Sequence, residues 1–283
     1  MLGTLHIVST PIGNLEDLTF RALRVLREVD LIAAEDTRRT AKLLHHYRIS
    51  TPTTSLHEHN ERQKLPAILS RLRAGRSVAL VADAGTPTIS DPGWRLVDAA
   101  LDTGIKVEPV PGPSAVLAVL ATSGFPADSF TFLGFPPNRS HARLRWLQTL
   151  TNRQETLVFF EAPHRIRATL QEALKVLGDR EIMVGRELTK RHEELVKQPI
   201  SEVLSALVTP RGEFTVVIGP VARRSFREQE PIDSVLLSEF YHLTDNDGLS
   251  RRAGLSILAK RYGKRTRDIY AAIERLKKLG PMT

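Results

Sequence analysis

The stretch Val78–Gly93 reads Val-Ala-Leu-Val-Ala-Asp-Ala-Gly-Thr-Pro-Thr-Ile-Ser-Asp-Pro-Gly, and it indicates how the rest of the chain must fold. Its first half is a short, continuous apolar run, which is typical of a strand buried on both faces. Polar residues, glycines and prolines follow from Asp83 onwards, and helical spacing resumes near Trp94. A strand, a polar loop and a helix in this order predict a parallel α/β sheet with a ligand site at the strand's carboxyl end. The alternative is a tight connection that binds nothing.

Composition narrows the functional class. The chain has 283 residues, a formal net charge of +8 and no cysteine. The length allows two domains, and the charge favours a polyanionic partner, nucleic acid before an anionic membrane surface. Without cysteine, disulfides and thiolate metal sites are excluded, and a reducing compartment is expected. The sequence contains neither a signal-peptide pattern nor an apolar run of ~18 residues, so we expect a soluble, cytoplasmic protein without a membrane partner.

Strands alternate with helices in the first half of the chain. Strands are predicted at Leu5–Val8, Leu31–Ala34 and Lys106–Val110, in addition to the apolar run that begins at Val78. Between the first two, residues 18–29 have the spacing of an amphipathic helix, with Thr19 as its expected N-cap. This alternation predicts a mostly parallel sheet covered by helices over residues 1–123.

The pattern restarts near residue 124 and predicts a second α/β domain over residues 124–220. Strands are expected near residues 130–135, 156–160, 182–184 and 214–218, and a helix over residues 165–177 is expected to stop at Gly178.

Residues 221–283 form a third region, a basic helical extension with 13 Lys and Arg against 8 Asp and Glu. Helices are expected over residues 249–260 and 266–279, with a glycine-containing turn between them. This arrangement is typical of a helix-turn-helix, and a solvated basic tail is the alternative.

Familiar catalytic motifs are absent from the sequence. Neither a Gly-x-Gly-x-x-Gly loop, a Walker A loop nor a His-Glu-x-x-His helix is present. His57 and His59 would share a face of a strand, which is only a weak signal for a metal, so we expect no metal site. Instead, four polar loops follow predicted strands, and such loops converge on one crevice in a parallel sheet. Their hydroxyls, carboxylates and backbone groups suit a zwitterionic ligand that carries adenosine; the loops span residues 11–14, 35–39, 83–91 and 111–115.

Eight segments together resemble the tetrapyrrole methylase superfamily, in the branch that methylates small-subunit ribosomal RNA. They occur in the same order over roughly residues 3–220, and the C-terminal extension is similar more loosely. The segments are Pro11–Asp17, Ala34–Arg38, His57–Asn60, Asp83–Gly93, Pro111–Ala115, Phe160–Arg165, Arg186–Lys190 and Gly212–Phe214. One departure from the porphyrin enzymes is that Gly85-Thr86-Pro87 replaces Gly-Asp-Pro at the central loop.

The resemblance implies two α/β domains, usually in a homodimer, with S-adenosyl-L-methionine bound in the cleft between the domains. It implies methylation of a cytidine ribose 2′-hydroxyl in 16S ribosomal RNA, at the decoding centre of the small ribosomal subunit. The cofactor contacts that it implies are Pro11, Gly13, Asn14, Asp83, Ala84, Gly85, Thr86, Pro87, Ser114 and Ala115, and less surely Phe160, Pro163 and Glu213.

Methylation of a hydroxyl needs a proton acceptor and, on RNA, cations for phosphates. A ribose hydroxyl is too weak an acid to ionise freely at neutral pH, so a base should assist the transfer. The first candidates are Glu35 and Asp36, which follow a strand beside two arginines, and the second are Glu58 and His59. The candidates for binding RNA phosphates are Arg38, Arg39, Lys42, Arg139, Arg143, Arg145, Lys190 and Arg191.

Three other functions stay open from the sequence. A porphyrinoid C-methyltransferase would share the fold, although the basic charge and the altered loops speak against it. A non-catalytic RNA-binding factor could also retain the fold. A metal-dependent hydrolase would use Glu35, Asp83, Asp91 and His57.

Overall fold

The computed structural model describes residues 1–208, 210–220 and 233–279. The chain divides into two compact units, Met1–Val221 and Ala222–Thr283. The predicted subdivision of the larger unit at residue 124 remains a prediction.

The first sheet consists of five parallel strands in the order β3-β2-β4-β1-β5. The buried run at Val78 forms the central strand β4, as predicted, because its side chains are covered on both faces. The short strand β3 was not predicted. The strands are β1 (Thr4–Val8), β2 (Leu31–Ala34), β3 (Thr53–Ser55), β4 (Val78–Val81) and β5 (Lys106–Val110).

Helices cover both faces of this sheet. The predicted cap of the first helix is confirmed, because the Thr19 hydroxyl accepts a hydrogen bond from the Ala22 N–H. The apolar faces of α1 and α2 pack on one side of the sheet, and those of α3 and α4 pack on the other. The helices of the first half are α1 (Phe20–Glu28), α2 (Thr37–His46), α3 (Glu61–Arg73), α4 (Trp94–Asp102) and α5 (Ala115–Ser123), and a 3-10 turn spans Leu15–Asp17.

The second sheet is mixed, in the order β6-β7-β10-β8-β9. Only β6 and β7 run parallel; the other neighbours are antiparallel. The four predicted strands are present and β9 is additional. The elements are β6 (Phe130–Phe132), β7 (Thr156–Glu161), β8 (Glu181–Arg186), β9 (Glu194–Pro199), β10 (Phe214–Ile218), α6 (Ser140–Leu150), α7 (Ile166–Leu177) and α8 (Ile200–Ala206).

Helix α5 connects the two sheets physically. It follows β5 of the first sheet, yet Val119 and Leu120 pack against Val158, Met183 and Val217 of the second sheet. The opposite face of the second sheet is covered by α6, α7 and α8. By packing, α5 therefore belongs with the second sheet, although the sequence groups it with the first.

Within residues 233–279, the smaller unit has three α-helices around an apolar core that includes Leu236, Phe240, Leu258 and Ile269. The two predicted helices and the turn between them are confirmed, and Gly263 adopts the left-handed conformation at φ 62°. The helices are α9 (Asp233–Tyr241), α10 (Arg251–Tyr262) and α11 (Thr266–Leu279), with a π-helical turn over His242–Asn246. Over the part of the chain that the structure describes, no helix is long and apolar enough to cross a bilayer.

Replacing Gly93 by alanine should destabilise the protein more than the same change at Gly104. Both residues have positive φ, 116° and 70°, which costs an L-residue roughly 1–2 kcal/mol. A Cβ at residue 93 would also lie 2.6 Å from Cδ2 of the buried Leu80, whereas a Cβ at residue 104 meets nothing within 4 Å. Overpacking adds roughly 1–3 kcal/mol.

Thermal denaturation of Gly93→Ala and Gly104→Ala compares the two sites directly. We expect a clearly lower Tm for Gly93→Ala. Equal Tm values would mean that the contact between Gly93 and Leu80 does not constrain the loop.

Candidate functional site

A cavity of about 360 Å³ lies within the larger unit, where loops from both sheets meet. Its floor and one wall come from residues that follow the first sheet's strands, and the opposite wall comes from β7 and β10. The lining residues are Ile12, Glu35, Arg39, Asp83, Ala84, Gly85, Thr86, Ile89, Ser90, Asp91, Ser114, Ala115, Val116, Phe135, Phe160, Glu161, Ala162, Pro163, Leu188, Glu213, Phe214 and Thr215.

The ends of β2 and β4 are linked by two reciprocal hydrogen bonds. The Asp83 N–H donates to Oε2 of Glu35 at 3.3 Å, and the Asp36 N–H donates to Oδ1 of Asp83 at 3.0 Å. Arg39 adds an ion pair to Oδ2 of Asp83 at 3.2 Å. Both predicted loops are therefore held together at the sheet's carboxyl edge, where Glu35 and Asp83 line the cavity.

The loop after β4 is held in an unusual conformation. Two backbone hydrogen bonds of 2.9 Å join Gly85 to Thr10. Farther along, Thr88 and Ser90 have φ values of 72° and 66°, a conformation that costs a non-glycine residue roughly 1–3 kcal/mol. Such strain occurs chiefly where a loop has to present a side chain in one position, and Asp91 comes next in the chain.

The N-terminus of α5 contributes to the cavity wall. The Ser114 hydroxyl accepts a hydrogen bond from the Leu117 N–H at 3.4 Å, so this residue caps the helix as well as lining the cavity. Ala115 and Val116 follow it into the first turn. Unbonded N–H groups and the positive end of the helix dipole favour an anionic group at this wall.

The second sheet supplies an aromatic and apolar wall. The rings of Phe160 and Phe135 lie 5.5 Å apart. Beside them, the buried Glu161 is fully engaged: Arg165 lies 2.6 Å from Oε1, and the Thr169 hydroxyl donates to Oε2 at 2.6 Å. Glu161 therefore has a structural role in holding the segment that follows β7.

Two carboxyls of the cavity, Glu35 and Asp91, have raised pKa values and so bind protons more tightly than usual. Burial raises the pKa of Asp91 to about 7, and the nearby charges of Glu35 and Asp83 add to this effect. Burial also raises the pKa of Glu35, against the opposing hydrogen bond from the Asp83 N–H. The cavity therefore holds two carboxyls that release their protons at higher pH than a solvated carboxyl does.

Most of the predicted cofactor contacts line this cavity. They are Asp83, Ala84, Gly85, Thr86, Ser114, Ala115, Phe160, Pro163 and Glu213. Pro11, Gly13, Asn14 and Pro87 are not among the lining residues; from the first loop Ile12 lines the cavity instead. Pro87 is buried, and the Asn14 N–H donates to the Thr189 hydroxyl.

Of the four predicted proton acceptors, only Glu35 lines the cavity. Asp36 caps α2 and pairs with Arg38 at 2.8 Å, and these hydrogen bonds hold the pKa of Asp36 far below its usual range. Glu58 and His59 are exposed and lie outside the cavity lining. The cavity thus brings Glu35 together with Asp91. From the sequence, Asp91 is named only as a residue of the alternative function, a metal-dependent hydrolase.

The predicted RNA-binding cations occupy different environments. Arg38, Arg39, Lys42, Arg139, Arg145 and Arg191 are exposed. Lys190 forms ion pairs with Glu187 and Glu213.

Arg143 does not lie at the surface, which corrects its assignment to RNA binding. Its side chain is 6% exposed and pairs with Glu172 at 2.7 Å. Arg139 and Arg145 are exposed, whereas residue 143 falls on the buried side of α6 with Leu147.

Several lining residues could not be inferred from the sequence. Ile89, Phe135, Leu188 and Phe214 are ordinary apolar residues whose role follows only from the packing of the second sheet against the loops. Among the described residues, no three His, Asp or Glu side chains are arranged to hold a metal ion.

Comparison with known proteins assigns the fold to a family. The family profile described as Tetrapyrrole (Corrin/Porphyrin) Methylases matches residues 4–204. The chain belongs to the tetrapyrrole methylase family. The predicted α/β fold class and the recognised resemblance are thereby confirmed, and the chain is a methyltransferase.

Two curated relatives within this family share one name. "Ribosomal RNA small subunit methyltransferase I" from Thermotoga maritima is 50% identical over 219 residues, which is 77% of this chain and 98% of the relative. The protein of the same name from Halalkalibacterium halodurans is 42% identical over 272 residues, 95% of this chain and 93% of its own length.

A solved structure supports the fold alone. Uroporphyrin-III C-methyl transferase from Thermus thermophilus, complexed with S-adenyl homocysteine, matches with a TM-score of 0.55 at 22% identity. The match covers 77% of this chain and 97% of the other.

Proposed function

We propose that the chain transfers a methyl group from S-adenosyl-L-methionine to the ribose 2′-oxygen of a cytidine at the decoding centre of 16S ribosomal RNA. The observation that carries this proposal is a cofactor-sized cavity in a methyltransferase whose relatives are named for small-subunit ribosomal RNA. The net charge of +8 supports a polyanionic substrate.

The residues of the cavity fit S-adenosyl-L-methionine. A volume of about 360 Å³ is in the range of cofactor sites. The first turn of α5, at Ala115, suits the carboxylate of the methionine part. The carboxyl of Glu35 suits its positive charges, and the apolar side chains of Ile12 and Phe160 suit the adenine.

The contribution of this chain to the reaction is chiefly alignment. When bound, the cofactor supplies a methyl group on a positively charged sulfur. The cavity walls come from both sheets, so they can fix the methyl group and the ribose oxygen in line. Alignment of this kind can lower a barrier by ~7–11 kcal/mol. The hydroxyl proton also needs an acceptor, and of the residues predicted for this role Glu35 is the one that faces the cavity.

Exposed cations near the cavity would bind RNA phosphates. Arg38, Arg39 and Lys42 lie on α2, whose first turn borders the site. Arg145 lies on the exposed side of α6, and the exposed Arg139 is the N-cap residue of this helix. A homodimer, 16S ribosomal RNA or the small ribosomal subunit as partner, and a cytoplasmic location complete the proposal.

The decisive experiment is methyl transfer to the RNA itself. Small ribosomal subunits from cells that lack this activity are incubated with the protein and methyl-labelled S-adenosyl-L-methionine, and the label is mapped. We expect label on one ribose 2′-oxygen in the decoding region. Label on a tetrapyrrole but not on RNA would contradict the proposal and favour the porphyrinoid alternative.

A pair of variants on α5 tests whether this cavity is the one used. Ala115→Leu fills part of the cavity, whereas Ala121 is exposed on the same helix. We expect Ala115→Leu to weaken binding of S-adenosylhomocysteine at least tenfold by calorimetry and to slow methylation. Ala121→Leu should match the unchanged protein. If both variants bind equally well, the cofactor lies elsewhere.

Two arginines of α6 distinguish RNA contact from a structural role. Arg145→Ala should weaken RNA binding and reduce the slope of log affinity against log salt by about 1, without lowering the Tm. Arg143→Ala leaves Glu172 without its partner, and breaking a buried pair costs roughly 3–5 kcal/mol. It should therefore lower the Tm but keep the salt slope. An unchanged salt slope in Arg145→Ala would exclude a phosphate contact.

A further inference from the structure

Five carboxyl-bearing residues line the cavity, and four of them are already engaged. Glu161 is held by Arg165 and Thr169, and Glu213 pairs with Lys190. The other two engaged residues, Glu35 and Asp83, link the ends of β2 and β4.

Asp83 binds the Asp36 N–H and Arg39, and Glu35 binds the Asp83 N–H through Oε2. Asp91 differs from all four. Within residues 1–208, 210–220 and 233–279, no hydrogen bond or ion pair satisfies its carboxyl, which faces the cavity. Both of its oxygens are therefore available to a ligand.

The backbone around Asp91 is built to hold that carboxyl in place. Thr88 and Ser90 adopt positive φ directly before it, and Gly93 does so directly after Pro92. Gly93 is pressed against the buried Leu80 of β4, as described above. The loop is thus constrained on both sides of Asp91, and this conformational cost is consistent with a functional position.

We propose that Asp91 is the residue that accepts the proton of the substrate hydroxyl, with Glu35 as the positioning and charge-tuning residue beside it. The inference rests on the proposed function and names the acceptor within that same site. It departs from the sequence-based order of candidates, in which Glu35 came first.

The electrostatics of the cavity support this assignment. A general base works best when its pKa is near the operating pH, and burial together with the charges of Glu35 and Asp83 raises the pKa of Asp91 to about 7. The facing cation, Arg39, is already bound to Asp83. Glu35 also has a raised pKa, but one of its oxygens is occupied by the Asp83 N–H.

In the proposed step, each bond that forms is matched by a bond that breaks. The ribose oxygen forms a bond to the methyl carbon while the bond between that carbon and sulfur breaks, and its electron pair stays on sulfur. The proton of the hydroxyl passes to an oxygen of Asp91 and leaves to solvent afterwards. No oxidant, reductant or metal ion is required.

The test measures single-turnover methylation of small ribosomal subunits between pH 5.5 and 8.5. For the unchanged protein, the rate should rise about tenfold per pH unit and level off near pH 7, because only the ionised carboxylate accepts a proton. Asp91→Asn should lose about 10²–10³-fold in rate, while its Kd for S-adenosylhomocysteine and its Tm change little. Asp98→Asn, an exposed aspartate on α4, is the matched control and should behave as the unchanged protein.

The variant Glu35→Gln provides a second readout, the pH profile of methylation. A purely structural role of Glu35 would leave that profile unchanged. Removing a like charge lowers the pKa of Asp91, so the pH profile should shift to lower pH while activity persists. A methylation rate of Asp91→Asn within threefold of the unchanged protein would overturn the inference. A weakened Kd of Asp91→Asn for S-adenosylhomocysteine with an unchanged methylation rate would also overturn it, because Asp91 would then be a binding residue. If the unchanged protein and Asp98→Asn both leave the ribose unlabelled, the proposed function itself fails, and this inference fails with it.

Discussion

The reciprocal bonding between the ends of β2 and β4 is the constraint on which the site depends. The Asp83 N–H binds Glu35, and the Asp83 carboxylate binds the Asp36 N–H. Two adjacent parallel strands therefore end in register, with their carboxyls close together and partly withdrawn from water. Asp91 joins them without a partner of its own among the described residues. Burial raises the pKa of Asp91 to about 7, and the like charges of Glu35 and Asp83 add to this effect.

Helix α5 extends this constraint across the molecule's larger unit. Its first turn forms part of the cavity wall, and its body packs against the second sheet. The aromatic wall at Phe160 and the polar loops of the first sheet are thus held by one rigid element. A site assembled in this way binds a ligand between two sheets without requiring either sheet to contribute a complete pocket.

Much of the first sheet could be predicted from the sequence, because β4 is a continuous apolar run that is followed by a polar loop. The helix cap at Thr19 and the places of Gly85 and Ala115 in the cavity lining follow from the same local signals or from the family resemblance. What could not be predicted depends on long-range packing. Strand β9 has exposed and half-buried residues and no buried one, and Arg143 is buried only because α6 packs beside α7. Similarly, Asp36 looks like a free carboxylate in the sequence, but it caps α2 and binds Arg38.

The most direct test of the account is a crystal structure of the protein with S-adenosylhomocysteine. The account predicts density in the cavity between the two sheets, with the sulfur facing Asp91 and the amino-acid carboxylate at the first turn of α5. Density in the smaller cavity of about 150 Å³ beside Val196 and Val203, or a sulfur that faces away from the carboxyls, would contradict it.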